Sequence, residues 1–303
     1  MPVQAVGDEF LTLTDGRKLT WDRVLQARVD SVWQKPVEQR IETFGLPLYR
    51  LKHRLQRRNI RGAFEIAQPW YQNESQTFAG PEANFLVSRA MMLGRIDRGQ
   101  RQQAIEPMLR ALVLQQSCSR EFLVSLPDVA FSKDQFKTGI SDDLLPVWSS
   151  AEQSDKELKR ISSEFDLDDL AKKWPGLGVY FSALAIDANQ RQRTTNWNSA
   201  MGDVPQLRPW QRILGSRFSE TPLSILIRDT EGATRVSAMY WWATATDQQA
   251  AKSERLLTLL KVVANYGDQY PAISKLALSR ARELTEVEDV RQVLQAEELS
   301  AER

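Results

Sequence analysis

Cysteine and histidine are almost absent: the 303 residues hold one Cys, Cys118, and one His, His53. A single thiol excludes an intrachain disulfide, so nothing marks an oxidising compartment. Tetrahedral zinc needs about four N, S or O ligands, and no Cys/His set can supply them. A Ser-His-Asp or Cys-His pair would have to use His53, which lies in a run of Leu and Arg with no nucleophile motif beside it. Apolar runs are short, and none reaches the roughly 18 residues of a membrane span. An excess of one charge is missing too. Lys and Arg total 40 against 39 Asp and Glu. This balance argues against a strongly basic nucleic-acid binder and against an acidic tail protein. The opening residues MPVQAVGDEF contain no basic segment followed by an apolar one. The sequence as given therefore predicts a cytoplasmic protein, and an upstream signal peptide would instead place it in the periplasm or cell envelope.

The residues that are present describe a globular body. Hydrophobic residues make up 42% and charged residues 26%, near the usual balance for folded domains, so disorder and coiled coil are poor readings. A chain of this length buries about three quarters of its unfolded surface. It has room for about two domains or one repeat array.

The stretch from Phe10 to Trp21 reads as a β-hairpin, with Asp15-Gly16 as a two-residue type I′ turn. That turn sets Phe10 opposite Trp21 and Thr12 opposite Leu19. A two-stranded hairpin is marginal alone, so it is expected to pack on the following helices. From Trp21 onward helical periodicity dominates. Pro47 opens a helix with Leu48, Leu51 and Leu55 on one face, broken by Asn59. Others carry Ala63, Phe64 and Ala67; Phe85, Leu86, Ala90, Leu93 and Gly94; and Ala104, Ile105, Met108 and Ala111. Pro69 and Pro107 predict kinks or late starts. Residues 127–150 lack periodicity and read as a linker. After Trp174-Pro175, the run GLGVYFSALAIDA is apolar nearly all round and is expected to be deeply buried. Further helices are predicted near 151–173, 190–201, 207–218, 221–229, 231–246, 248–266, 270–284 and 286–300. The domain expectation is a hairpin over 1–22, helical lobes over 23–126 and 151–303, and the linker between them.

The segment SRAMMLGRIDRGQRQQAIEPMLRALVLQQ resembles a tetratricopeptide repeat, with Gly99, Ala104, Met108 and Ala111 near that motif's spacing. Small residues there let antiparallel helices approach. The Leu93-Gly94 pair stands about two residues too close to Ala104, and the usual closing Pro is absent. A fainter copy, with Ala63 and Ala67, lies in LYRLKHRLQRRNIRGAFEIAQPWY, and a third in LALSRARELTEVEDVRQVLQAEEL. The segments LTDGRKLTWDRV, GLPLYRLKHRL, TGISDDLLPVW and LLTLLKVVANYGDQYPAISKLAL together are similar to an uncharacterised tetratricopeptide-like family of planctomycete-type bacteria. The resemblance implies a helical-repeat scaffold and, from exported members, the cell envelope. It transfers no catalytic residue. The expected fold is all-α, an antiparallel helix-pair, TPR-like, right-handed α-solenoid with a short N-terminal β-hairpin.

The interval 43–64 holds no acidic residue, and Arg50, Arg54, Arg57, Arg58 and Arg61 fall within about 100° of helical arc. Arg suits bidentate binding of carboxylate or phosphate, although a charge run of this kind also serves simply to solvate a helix face. His53 is placed nearly opposite that arc, as a packed residue. Trp241 and Trp242, with Met239 and Tyr240, could line a groove or simply fill a core. Cys118 reads as an inert thiol. The Asp166, Asp168, Asp169 cluster reads as a helix cap, because an EF-hand's Gly and closing Glu are missing. The leading expectation is a non-catalytic scaffold binding a protein or peptide partner, with no cofactor or metal. Partner-binding candidates are Arg50, Arg54, Arg57, Arg58, Arg61, Trp241 and Trp242. One alternative is a hydrolase using two carboxylates about 5–10 Å apart in a cleft. The other is an anion or nucleic-acid binder using the arginine strip.

Overall fold

The computed structural model describes residues 2–7, 10–24, 26–72, 80–148, 151–215, 220–244 and 251–285. The chain is mostly helical, with one small three-stranded antiparallel sheet. By its contacts it divides into two units, Met1–Ser132 and Lys133–Arg303.

In the first unit β1 (Val3–Val6), β2 (Phe10–Leu13) and β3 (Lys18–Thr20) pair in chain order. The expected hairpin is present, but its register is one residue off. Phe10 faces Thr20, Leu11 faces Leu19, and Thr12 faces Lys18. The cause is a loop of three residues rather than two. The Gly16 N–H donates to Leu13 O and the Leu13 N–H to Arg17 O, both at 2.9 Å, and only Gly16 takes a positive φ, +81°. Asp15 stays out of the left-handed region. Its carboxylate instead accepts from the Arg17 N–H at 3.0 Å and from Arg17 Nε at 2.7 Å. A three-residue loop of this kind ends in a glycine bulge. The resulting register sets apolar Leu11 against apolar Leu19. Leu11, Leu13 and Trp21 then join Val24, Val37 and Ile41 in a buried cluster, so the sheet packs on the helices after it.

α1 (Ser31–Arg40) runs through a π-helical turn, Ile41–Gly45, into α2 (Leu46–Gln56). Pro47 lies in the first turn of α2, as expected, but the chain ahead of it is already helical. Proline has no N–H to donate and its ring crowds the carbonyl four residues back, so a widened turn precedes it. Gly45 in that turn is needed for space, since a Cβ would lie 2.8 Å from Val24 O. α3 (Ile60–Gln72), α4 (Pro81–Asp97), α5 (Ile105–Gln115) and the short α6 (Arg120–Val124) follow. Pro69 lies in the last turn of α3 and Pro107 in the first turn of α5. α4 packs against α2, α3 and α5. Ala63 and Ala67 of α3 and Met108 and Ala111 of α5 are fully buried, as is Ala104 in the 3-10 turn that leads into α5.

The second unit holds α7 (Ala151–Glu164), α8 (Leu167–Lys173), α9 (Pro175–Asp187), α10 (Thr194–Gly202), α11 (Arg208–Gly215), α12 (Glu220–Asp229), α13 (Gly232–Thr244), α14 (Lys252–Tyr266) and α15 (Pro271–Leu284). Every residue of α9 from Gly176 to Ile186 is buried, as its all-round apolar sequence predicts. α7, α8, α10 and α11 all pack on it, whereas α12 to α15 pack each on the next in chain order. The helix expected at 286–300, and with it most of the third repeat copy, lies outside the described residues.

The division between units falls inside the segment 127–150 expected to be a linker. That segment is not a solvated connector. Val129, Phe131, Phe136, Leu144, Leu145, Val147 and Trp148 are all buried. Its first part is held by the Gln115 side-chain amide, which donates to Phe131 O and accepts from the Phe131 N–H, both at 3.0 Å. Farther on, the Tyr180 hydroxyl accepts from the Ser141 N–H at 2.7 Å and donates to Ser141 O at 3.2 Å. Periodicity is absent because the backbone is irregular, yet the apolar residues are still core.

Candidate functional site

The arginine strip begins on α2. This helix ends where Arg58 adopts a left-handed φ of +56°. The Arg58 N–H donates to Leu55 O at 2.9 Å and the Asn59 N–H to Arg54 O at 2.8 Å, the bonding pattern of a Schellman ending. Asn59 then caps α3, its Oδ1 accepting from the Gly62 N–H at 3.0 Å. This turn breaks the strip. Arg58 and Arg61 leave the α2 face, so the expected single arc of five arginines is corrected to a shorter one.

The arginines also have different employment. Arg54 Nη1 donates to Gly62 O at 2.7 Å, tying α2 to the first turn of α3. Arg58 lies 3.9 Å from the Asp128 carboxylate and Arg61 3.3 Å from that of Glu65. Both of these pairs are exposed and worth little. Arg50 and Arg57 are exposed. Together with Tyr49 and His53 they span about 100° of arc on α2, opposite the buried Leu48, Leu51 and Leu55. Tyr49 is 40% exposed, and the half-buried His53 ring meets it edge-on at 5.9 Å. His53 thus flanks the basic face; the placement opposite it is corrected.

Trp241 is 7% exposed and Trp242 half-buried. Val236 to Trp241 are all buried, and α13 packs against both α12 and α14. The structure therefore puts Met239, Tyr240 and Trp241 in packing rather than along an open groove. Cys118 is half-buried, and burial together with the nearby Glu82 carboxylate pushes its thiol up to about 12. The thiolate is the reactive form. Native protein at pH 8 is therefore expected to react with Ellman's reagent orders of magnitude more slowly than denatured protein; equal rates would contradict this. Between pH 9 and about 12 the unfolded chain loses this proton while the folded chain keeps it, so stability falls across that window.

Beneath the Tyr71 ring lies a buried ion cluster. Glu106, 1% exposed, sits 3.1 Å from Arg110 Nε and 3.8 Å from Arg95 Nη1. Both guanidinium groups lie over the ring, at 5.3 and 5.4 Å. Desolvation, reinforced by the Glu106 charge, holds the Tyr71 hydroxyl protonated. The cluster ties α3, α4 and α5 together.

The second unit contains an open cleft of about 410 Å³, lined by Ser162, Phe165, Asp166 and Leu167 from the α7–α8 corner and by Gln192, Arg193, Asn196 and Trp197 from around the start of α10. Sequence reasoning missed it. Its groups sit at helix ends, where no periodic pattern marks them. Asp166 is the expected cap, its Oδ1 accepting from the Asp168 and Asp169 N–H groups at 3.1 and 3.0 Å. Asp168 accepts from Trp197 Nε1 at 2.8 Å and from Asn196 Nδ2 at 3.2 Å. Arg193 donates to Ser162 Oγ at 3.0 Å, with its guanidinium 5.9 Å from the Trp197 ring centre. The carboxyls that burial pushes up, Asp142 and Asp187, do not line this cleft.

Among the described residues no group of three or more His, Cys, Asp or Glu is placed to hold a metal ion, and no helix is long and apolar enough to cross a membrane. Compared with protein-family models, with curated proteins and with solved structures, the chain finds no match in any of the three.

Proposed function

We propose that the chain is a non-catalytic helical scaffold whose α2 face binds an acidic peptide segment of a partner protein. The pairs α2–α3, α4–α5, α12–α13 and α14–α15 are read as the units of a TPR-like, right-handed solenoid. The motif likeness to tetratricopeptide-like proteins of planctomycete-type bacteria supports that reading. The observation that carries the binding proposal is the exposed arc of Tyr49, Arg50 and Arg57, with half-buried His53 among them, in an interval, 43–64, that contains no acidic residue. The helix places these side chains on the side away from its leucine stripe. A peptide bearing several carboxylates complements them, and Tyr49 adds apolar area at the same place. Exposed ion pairs contribute only about 0.2–1 kcal/mol each, so binding needs several at once.

The test is fluorescence anisotropy of a labelled eight-residue peptide alternating Glu and Gly, titrated with the full chain. Arg50→Glu/Arg57→Glu is expected to weaken binding by at least about tenfold. Raising salt should weaken the wild type as well. Unchanged affinity in the double variant would overturn the proposal. Tighter binding of a single-stranded RNA of the same charge would transfer the face to a polyanion instead.

A further inference from the structure

The cleft between the α7–α8 corner and the start of α10 is independent of the α2 face, and its chemistry is different. Two carboxylates, Asp166 and Asp168, stand with one guanidinium, Arg193, so both signs are present and the lining carries a formal charge of only −1. Three exposed neutral polar residues, Gln192, Thr195 and Asn196, complete the polar wall. Asp168 accepts one hydrogen bond on each oxygen, from Trp197 Nε1 and Asn196 Nδ2, and a carboxylate oxygen can accept another. These bonds fix the carboxylate plane and leave it facing the cleft with acceptor capacity to spare. Arg193 is fixed in the same way by Ser162 Oγ at 3.0 Å and Gln190 Oε1 at 3.4 Å, and a guanidinium carries five N–H donors. Donors and acceptors thus share one opening, with Asp168 and Arg193 each held by bonds that cross from one wall to the other. Half-exposed Phe165 supplies the more accessible aromatic ring among them, the other lining aromatic, Trp197, being buried.

We infer that this cleft binds a neutral saccharide unit. A hydroxyl group both donates and accepts, so neighbouring hydroxyls on a sugar ring can meet a carboxylate and a guanidinium or amide side by side. Anions are opposed by Asp166 and Asp168, and Arg193 offsets part of the attraction those carboxylates would exert on a cation. The C–H face of a pyranose matches an aromatic ring, the part that Phe165 offers. The volume of about 410 Å³ lies within the range of small-ligand sites.

The test uses the full chain and a panel of neutral trisaccharides: maltotriose, cellotriose, xylotriose and chitotriose. Binding is read by saturation-transfer NMR and by isothermal titration. At least one member is expected to bind saturably. Asn196→Ala and Phe165→Ala should each weaken it about tenfold, the loss of one good contact, while circular dichroism and thermal melting show both variants folded. Arg50→Glu/Arg57→Glu should bind the sugar like the wild type. No saturable binding by any member would overturn the inference. So would binding unaffected by both cleft variants, or a lysine-containing tripeptide occupying the cleft in preference to every sugar.

Discussion

Replacing Gly176 by alanine should destabilise the protein by about 3 kcal/mol, at the upper end of the cost of overpacking a core. A Cβ on Gly176 would collide with Gly139 O and stand 2.9 Å from the Cα and O of Phe136. These are backbone atoms, so no side chain can swing aside. The same glycine donates its N–H to Phe136 O at 2.6 Å. Phe136 is fully buried with φ of +68°, a left-handed conformation that costs a non-glycine residue about 1–2 kcal/mol. Its ring meets Tyr180 edge-on at 6.0 Å. Alanine at 176 therefore pushes away the contacts that hold Phe136 in a strained state, and the buried segment around it should loosen. Urea titration reads the loss as a lower midpoint. Gly215→Ala is the control: among the described residues its Cβ meets nothing within 4 Å, and the change should stay within about 0.5 kcal/mol. A Gly176→Ala midpoint equal to wild type would contradict the close approach of this segment to α9.

Phe85→Ala should cost a similar or larger amount, about 3–5 kcal/mol. Phe85 is fully buried on α4, and its ring meets Phe122 of α6 edge-to-face at 6.2 Å and 83°. α4 packs against helices on several sides, which limits how far they can collapse into the void. Exposed Val124, 70% accessible on the same short α6, gives the contrast: Val124→Ala should change stability by less than about 0.5 kcal/mol. Equal losses at the two positions would contradict the packing described for the first unit.

Much of the helical pattern was legible because burial imposes a 3.6-residue period. The leucine stripe of α2, the small residues of α3 and α5 and the apolar run of α9 all read through. The misreadings lie where local backbone chemistry decides. One extra loop residue, with Gly16 as a bulge, moved the whole hairpin register. A π turn joins α1 to α2 just ahead of Pro47, where proline alone indicated a fresh beginning. Residues 127–150 looked like solvent-exposed chain because irregular backbone has no period, although its apolar content was in plain view. At the candidate sites, the spacing of arginines showed charge but not its use. The left-handed Arg58 and the bond from Arg54 to Gly62 O removed three of five arginines from the α2 face. The cleft was hidden for a different reason. Ser162, Asp168 and Arg193 are brought together by tertiary packing, and only the cap at Asp166 had a local signature.

The most direct test of the α2 face as a docking surface is a charge swap. Wild-type chain and Arg50→Glu/Arg57→Glu are each titrated with the Glu-Gly peptide and with its Lys-Gly counterpart. If this face makes the contact, the wild type prefers the Glu peptide and the double variant prefers the Lys peptide. A double variant that still prefers the Glu peptide as strongly as the wild type would place the binding elsewhere and contradict the proposed function.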